Sequence, residues 1–181
     1  VAKRVASETT IHQRRTSIAS VAINDFSSRF FDRYDDKTIL VIGAGEIGSE
    51  TLQYLLDQGA RDITVINRNW DRAQSLAENI GATAQPWEHL SKLLSTADLV
   101  VSTTASTEYI VSTEQFEKLH PLRHQRTLLI LDLAVPRDFD PAIADFLGVY
   151  LYSIDDLQGG NRDRQQADGR RITLDIAGKQ Q

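Results

Sequence analysis

The stretch KTILVIGAGEIGSETLQYLLDQGARDITVINRN, residues 37–69, decides the fold predicted for this 181-residue chain. It begins with a continuous apolar run over 38–42, which is typical of a strand buried on both faces of a sheet. Three glycines follow, then a helical pattern over 46–58 and a second apolar run over 62–67. This order predicts one strand–helix–strand unit of a parallel sheet.

The three glycines have the spacing G-x-G-x-x-G at the junction of the first strand and the helix. Gly43 permits the tight turn, Gly45 lets the backbone approach a pyrophosphate, and Gly48 lets the helix pack closely on the sheet. The helix N-terminus adds free N–H groups and a partial positive charge. In this context the motif favours a bound dinucleotide over a purely structural turn. The residues predicted to bind it are Gly43, Ala44, Gly45, Glu46, Ile47 and Gly48.

The second strand ends in arginine rather than in an acid. A carboxylate at this point accepts hydrogen bonds from the adenosine ribose of NAD, and many methyltransferases have an acid there for S-adenosylmethionine. This chain has Asn67, Arg68 and Asn69 instead, with Arg72 one turn further on. A guanidinium can clamp the 2′-phosphate of NADP through charge-assisted hydrogen bonds. We therefore predict NADPH as the cofactor; the alternative is that Arg68 is a solvated turn residue.

Two later stretches should line the same crevice, because ligands bind at the carboxyl ends of parallel strands. STTAST, residues 102–107, offers small hydroxyl side chains that leave room for a cofactor and can donate to it. LDLAVPRDFD, residues 131–140, brings an aspartate and a proline that fix a turn near the expected nicotinamide end. Ordinary turn chemistry at a strand end is the alternative for both. The predicted contacts are Ser102, Thr103, Thr104, Asp132, Leu133, Ala134 and Pro136.

The rest of the chain continues the alternation of strand and helix. Strands are predicted over 82–87, 98–104, 126–136 and 148–154, and helices over 69–81, 88–97 and 113–119. This pattern predicts an α/β fold with a Rossmann-type, doubly wound parallel sheet of about six strands. Apolar residues near helical spacing over 16–34 predict an N-terminal connecting helix. The predicted divisions are an N-terminal segment with that helix (1–36), the dinucleotide-binding domain (37–158) and the start of a C-terminal helix or a disordered tail (159–181).

Composition excludes several kinds of site. The chain has no cysteine, so it has no disulfide and no thiolate ligand or nucleophile. Its four histidines lack zinc-site spacing, and we predict no metal site. No apolar run approaches the roughly 18 to 20 residues of a membrane span, and no signal peptide is evident, which predicts a cytoplasmic protein. The net charge of −5 does not favour a broad nucleic-acid surface.

Several segments together resemble glutamyl-tRNA reductase. They are ETTI with the following SIASVAI, GAGEIG, INRNWDRAQSLAENIG, ADLVVSTTAS, LDLAVPRDFDP and VYLYSIDDLQ, and they cover about residues 5–158. Shikimate dehydrogenases are related and share the glycine loop and the Asn-Arg pair, but DLAVPRD and DDLQ are not expected from them. The glycines at 159, 160 and 169 depart from the long helix that the family enters after DDL.

The resemblance implies reduction of glutamyl-tRNA by NADPH to glutamate-1-semialdehyde, the first committed step of five-carbon tetrapyrrole (porphyrin) biosynthesis. Family members have an N-terminal domain whose cysteine forms a thioester, an NADPH domain that delivers hydride, and a C-terminal helical domain that dimerises. The chain resembles the middle part. Having no cysteine, it is expected to contain no catalytic residue and to be inactive alone. The resemblance assigns glutamyl-tRNA binding and homodimerisation to the other two domains.

Other functions are compatible with the same glycine loop. A dehydrogenase like shikimate dehydrogenase would need its own substrate domain with a lysine–aspartate pair. A non-catalytic dinucleotide-binding module would need no hydride acceptor. A methyltransferase is disfavoured because the second strand lacks the acid. A titration with NADPH, NADH and S-adenosylmethionine separates these classes of ligand.

Overall fold

The computed structural model describes residues 18–157, and this part of the chain forms a six-stranded sheet with helices on both faces. The strands are β1 Thr38–Ile42, β2 Asp62–Ile66, β3 Thr83–Ala84, β4 Leu99–Ser102, β5 Leu128–Asp132 and β6 Val149–Ser153. The helices are α1 Ile18–Val21, α2 Glu46–Asp57, α3 Trp70–Ile80, α4 Leu90–Thr96, α5 Thr113–Leu119 and α6 Ile154–Leu157. Single 3-10 turns occupy Ser27–Arg29, Trp87–His89, His120–Arg123 and Pro141–Asp145. None of the helices in this range is long and apolar enough to cross a membrane.

All six strands are parallel, in the order β3-β2-β1-β4-β5-β6. This order confirms the predicted doubly wound fold. The chain order reverses between β1 and β4, which is the point where open parallel sheets bind ligands. Ile42 pairs with Ile66 and with Ser102, and Ser102 pairs with Asp132. The four segments predicted to bind a cofactor therefore leave the sheet side by side at one edge.

Alternate residues of each strand pack on opposite faces of the sheet. Ile39 and Val41 of β1 lie in a cluster with Leu52 of α2, whereas Leu40 lies in a second cluster with Phe116 of α5. All five of these side chains are essentially inaccessible to solvent. Burial on both faces explains why the strands are continuous apolar runs rather than alternating ones.

The N-terminal connecting helix is shorter than predicted. Helix α1 continues into a π-helical segment, Ala22–Phe26, and a 3-10 turn, and helical structure ends at Arg29 rather than at residue 34. Phe30 then packs on the sheet, its ring centroid 4.8 Å from that of Tyr150. This aromatic packing outweighs the helical spacing on which the prediction rested. The predicted start of this helix at 16–17, the segment before it and the tail after 158 lie outside the described residues.

Three predicted strands extend too far at their carboxyl ends. Strand β4 ends at Ser102 rather than 104, β5 ends at Asp132 rather than 136, and β3 is only Thr83–Ala84. Strands β4 and β5 end together, since Ser102 pairs with Asp132 and Asp132 pairs with Ser153, the last residue of β6. Strand β3 ends at Ala84, opposite Val65 of β2.

Serine substitutions should separate the roles of two glycines of the loop. A Cβ on Gly48 would lie 2.8 Å from the Gly43 carbonyl oxygen, whereas a Cβ on Gly45 has no atom within 4 Å. We expect Gly48→Ser to lower the free energy of unfolding by about 1–3 kcal/mol through overpacking. Gly45→Ser should change it by less than about 0.5 kcal/mol, since serine is a good N-cap residue. Urea denaturation measures both, and equal losses would contradict this assignment.

Candidate functional site

The glycine loop is held to the sheet by close backbone packing. The Gly43 N–H donates to the Ile66 carbonyl at 2.8 Å, and Gly43 adopts φ +105°, which disfavours a side chain. A Cβ on Gly43 or on Gly48 would lie 2.8 or 2.9 Å from Oγ1 of Thr103. Close packing within the protein therefore explains why Gly43 and Gly48 carry no side chain.

Gly45 needs a different explanation, because its missing side chain leaves open space. It is the N-cap of α2, with extended backbone and no capping side chain. The Ser49 N–H donates to its carbonyl at 3.0 Å. The N–H groups of the first helical turn therefore have no acceptor within the helix. Open space in front of such donors fits an anion such as a pyrophosphate.

The other residues of the glycine loop, Ala44, Glu46 and Ile47, differ in exposure and in what they contact. Ile47 packs its side chain on the core, so its backbone N–H is the group available to a ligand. Glu46 is exposed in the first turn of α2. Both Ala44 and Glu46 line an open groove of about 530 Å³ that continues towards α3. The other residues of this groove are Gly45, Ser49, Asn69, Asp71, Arg72, Ser75, Leu76 and Asn79.

The two asparagines after β2 shape the turn into α3. The Asn67 side-chain amide donates to the Asn69 carbonyl at 3.0 Å. Asn69 is the N-cap of α3, and its Oδ1 accepts from the Arg72 N–H at 3.1 Å. Arg68 and Arg72, on either side of this turn, are both exposed. Arg72 lines the large groove, whereas Arg68 lines a separate, smaller cavity.

Arg68 lines a smaller cavity of about 170 Å³ between the ends of β2, β3 and β4. Its guanidinium carbon lies 5.5 Å from the ring centroid of Trp87, and its Nη2 donates to Ser106 Oγ at 3.4 Å. Asn67, Thr104 and Ala105 complete the lining. The sequence analysis missed Trp87 as a site residue. Its only signal was its position as the last residue of the short strand predicted over 82–87, at the carboxyl edge of the sheet.

The hydroxyl groups at the end of β4 donate hydrogen bonds to other groups of the protein. Ser102 is buried and donates to the Asp138 carboxylate at 2.5 Å, and Thr104 Oγ1 donates to the same carboxylate. Thr103 Oγ1 donates to the Ile42 carbonyl at 3.3 Å. The expectation that these hydroxyls donate to a cofactor does not match their contacts here. Among the three, Thr104 lines the small cavity.

The turn after β5 is built around Asp132, as the sequence predicted. Its carboxylate accepts from the backbone N–H groups of Ala134 at 3.2 Å, and of Asp138 and Phe139 at 2.9 Å each. Leu133 and Ala134 are buried, so their side chains do not face a ligand. The cis Val135–Pro136 pair is exposed at the tip of the turn.

Asp132 and Asp138 together tie the loops after β4 and β5 to each other. Asp138 is fully buried and also accepts from the Thr104 N–H at 3.0 Å, while its own N–H bonds to Asp132. Burial raises the pKa of Asp132 to about 6, opposed by its backbone hydrogen bonds and assisted by the charge of Asp138. The sequence does not distinguish Asp138 from the nearby Asp140, which caps a 3-10 turn.

The raised pKa of Asp132 should appear as a pH-dependent stability. The folded protein holds this proton more tightly than the unfolded chain, so the group's contribution is present below about pH 4 and is lost as pH rises through about 6. A difference of about two pKa units corresponds to roughly 3 kcal/mol. We expect the free energy of unfolding of the parent, minus that of Asp132→Asn, to fall by up to this amount between pH 4 and pH 7. Denaturation of both proteins across this range measures it, and a constant difference would contradict the assignment.

Comparison with known proteins finds a matching domain family and similar curated proteins. The family model for Shikimate / quinate 5-dehydrogenase matches residues 25–159. The glutamyl-tRNA reductase of Rhodopirellula baltica is 49% identical over 166 residues, which are 91% of this chain and 39% of that protein. The chain thus spans about two fifths of the length of the curated relatives it matches.

Solved structures show the same fold. Glutamyl-tRNA reductase from Methanopyrus kandleri has a TM-score of 0.72 and 31% identity, over 90% of this chain and 43% of that one. Shikimate 5-dehydrogenase from Thermus thermophilus, solved in complex with NADP(H) and shikimate, has a TM-score of 0.54 and 22% identity, over 79% of this chain and 52% of that one. The second likeness shows the fold alone.

The family model identifies the domain family, and the curated relatives identify the enzymes that this chain is similar to. The family model covers three quarters of the chain, and the curated relatives at 38–49% identity are glutamyl-tRNA reductases. The chain therefore belongs to the shikimate / quinate 5-dehydrogenase family of domains, and its curated relatives confirm the resemblance to glutamyl-tRNA reductase that its motifs indicated.

Proposed function

We propose that this chain is the NADPH-binding domain of a glutamyl-tRNA reductase. The observation that carries the cofactor is the open space in front of Gly45, at the start of a helix whose first N–H groups have no acceptor within the helix. Beside it, β2 is followed by Asn67, Arg68 and Asn69, with no carboxylate among them, and Arg72 follows Asp71 in the first turn of α3. A pyrophosphate and a 2′-phosphate are the two anionic groups of NADPH that such donors bind.

The pyrophosphate is assigned to the glycine loop. On this assignment the backbone N–H groups of Gly45, Glu46 and Ile47 would donate to it, and α2, which begins at Glu46, would contribute the partial positive charge of its N-terminus. Any side chain at position 45 would occupy the space through which the phosphates approach. This loop therefore supplies binding that is common to NADPH and NADH.

The 2′-phosphate is assigned to Arg68, with Arg72 as a second donor. Both side chains are exposed beside the turn that Asn67 and Asn69 shape. Within residues 18–157 neither arginine makes an ion pair, so neither charge is neutralised by a carboxylate. This arrangement favours NADPH over NADH.

The nicotinamide is assigned to the other half of the crevice, over the loops after β4 and β5. The buried Asp132 and Asp138 fix these loops, which follow the carboxyl ends of β4 and β5. Bound NADPH supplies a hydride. The part of the chain described here orients the cofactor, and the acyl group to be reduced would be presented by another domain.

The assignment to glutamyl-tRNA reductase also implies the substrate, the other domains and the pathway of the whole protein. Glutamyl-tRNA would be its substrate, with an N-terminal cysteine domain forming the thioester and a C-terminal domain making the homodimer. Its place would be in tetrapyrrole biosynthesis in the cytoplasm, where charged tRNA is available. A titration of the chain with NADPH, NADH and S-adenosylmethionine tests the proposal, with NADPH expected to bind most tightly.

The loop assignment predicts that charge at position 45 blocks binding. Asparagine and aspartate are similar in shape and are both good N-cap residues, so Gly45→Asn and Gly45→Asp should both fold. Both should weaken NADPH because a side chain fills the approach. Gly45→Asp should weaken it roughly tenfold or more beyond Gly45→Asn, because its carboxylate repels the pyrophosphate. Isothermal titration calorimetry measures the two affinities, and unchanged binding in both variants would contradict the assignment.

Removing Arg68 should reduce the preference for NADPH. A hydrogen bond to a charged group contributes about 1.5–3 kcal/mol, so Arg68→Ala should weaken NADPH binding about 10- to 150-fold. NADH lacks the 2′-phosphate and should change little. Arg72 remains in the variant, which favours the lower end of that range. Equal weakening of both dinucleotides, measured by the same titration, would make Arg68 a structural residue.

A further inference from the structure

Arg68 is held in place by uncharged groups. The face of Trp87 lies 5.5 Å from the guanidinium carbon, and the Ser106 hydroxyl accepts from Nη2 at 3.4 Å. No carboxylate within the described range lies within ion-pair distance of Arg68. An aromatic ring attracts a cation through its quadrupole and supplies no countercharge. The arginine is therefore oriented while its full charge stays available to an incoming anion.

Trp87 is anchored independently of Arg68. It begins the 3-10 turn Trp87–His89, directly after Pro86, and it is a partly buried side chain that packs against the core cluster on one face of the sheet. The chain just before it is tied to the sheet, because the Gln85 N–H donates to the Val65 carbonyl at 3.0 Å. Its ring thus has a fixed place at the edge of the small cavity that Arg68 and Ser106 also line.

We propose that Trp87 is a specificity-determining positioning residue, which holds the Arg68 guanidinium beside the cavity and so sets the preference for a 2′-phosphorylated dinucleotide. This inference rests on the proposed function, because it assigns the 2′-phosphate to Arg68. A carboxylate in the place of Trp87 would also orient the arginine, but it would compete with the phosphate for the same donors. The aromatic ring gives orientation without that competition.

The test compares affinities for NADPH and NADH by calorimetry and takes their ratio as the readout. A cation–π contact at an exposed site corresponds to about a two- to fivefold change in affinity. Trp87→Leu should lower the preference for NADPH by that factor and leave NADH unchanged. Trp87→Phe keeps an aromatic face and should retain most of the preference. Trp70→Leu is the matched control, because Trp70 is exposed and lines neither cavity, and it should leave the ratio unchanged.

A double variant shows whether Trp87 acts through Arg68. In the Arg68→Ala background, Trp87→Leu should cause no further loss of preference, since the group that it positions is gone. An equal loss in both backgrounds would overturn the inference. So would equal weakening of NADPH and NADH by Trp87→Leu, which would mean that the indole supports the adenine or the fold. If circular dichroism shows that Trp87→Leu is unfolded, Trp87→Met fills more of the site and replaces it with the same expected results.

The outcomes for the two proposals are distinguishable. If the parent does not prefer NADPH, or if Arg68→Ala leaves the ratio unchanged, the assignment of the 2′-phosphate fails. If the parent prefers NADPH and Arg68→Ala removes that preference, but Trp87→Leu retains it, only the role of Trp87 fails.

Discussion

The contact among Gly43, Gly48 and Thr103 is the constraint on which the site depends. At the point where the sheet order reverses, the loop after β1, the first turn of α2 and the end of β4 meet so closely that a Cβ on either glycine would lie within 3 Å of another residue. This packing places the N-terminus of α2 directly over the carboxyl end of β1. Gly45, between them, has no such neighbour, and its open side is the space that an anion can enter.

The arginines and the buried carboxylates of the crevice lie at different strand ends, and the exposed Glu46 and Asp71 share the large groove with Arg72. The arginines lie after β2, are exposed and have no ion-pair partner in the part of the chain described. The buried carboxylates belong to Asp132, the last residue of β5, and to Asp138 in the loop after it. In the proposed complex the 2′-phosphate of NADPH would lie beside the arginines, and its uncharged dihydronicotinamide would lie over the loops after β4 and β5.

The sequence predicted the fold and the glycine loop because both depend on local patterns. The apolar run of β1, the glycine spacing and the helix behind it are contiguous, and the observed strand β1 and helix α5 have the predicted ends. Ser106 and Asp138 lie in stretches predicted to line the crevice, but their individual roles and that of Trp87 were not predicted, because these roles depend on partners far away in the chain. Asp138 bonds to Ser102 and Thr104 across 36 and 34 positions, and no local spacing reveals such a contact. The prediction that the N-terminal helix reaches residue 34 was wrong for the same reason. Phe30 packs on Tyr150 of the sheet, a partner that lies far away in the chain.

The buried aspartates show how a site for a polyanion tolerates acids close by. Each carboxylate is surrounded by donors from the protein: three backbone N–H groups for Asp132, and the Thr104 N–H with the hydroxyls of Ser102 and Thr104 for Asp138. These donors stabilise the carboxylates inside the protein, although for Asp132 burial outweighs them and raises its pKa to about 6. Lost donors would leave an unpaired buried charge, which is far more costly than an exposed one. The hydroxyls of Ser102 and Thr104 therefore serve as hydrogen-bond donors to Asp138. What these two residues offer a cofactor is their small side-chain volume, which leaves room for it.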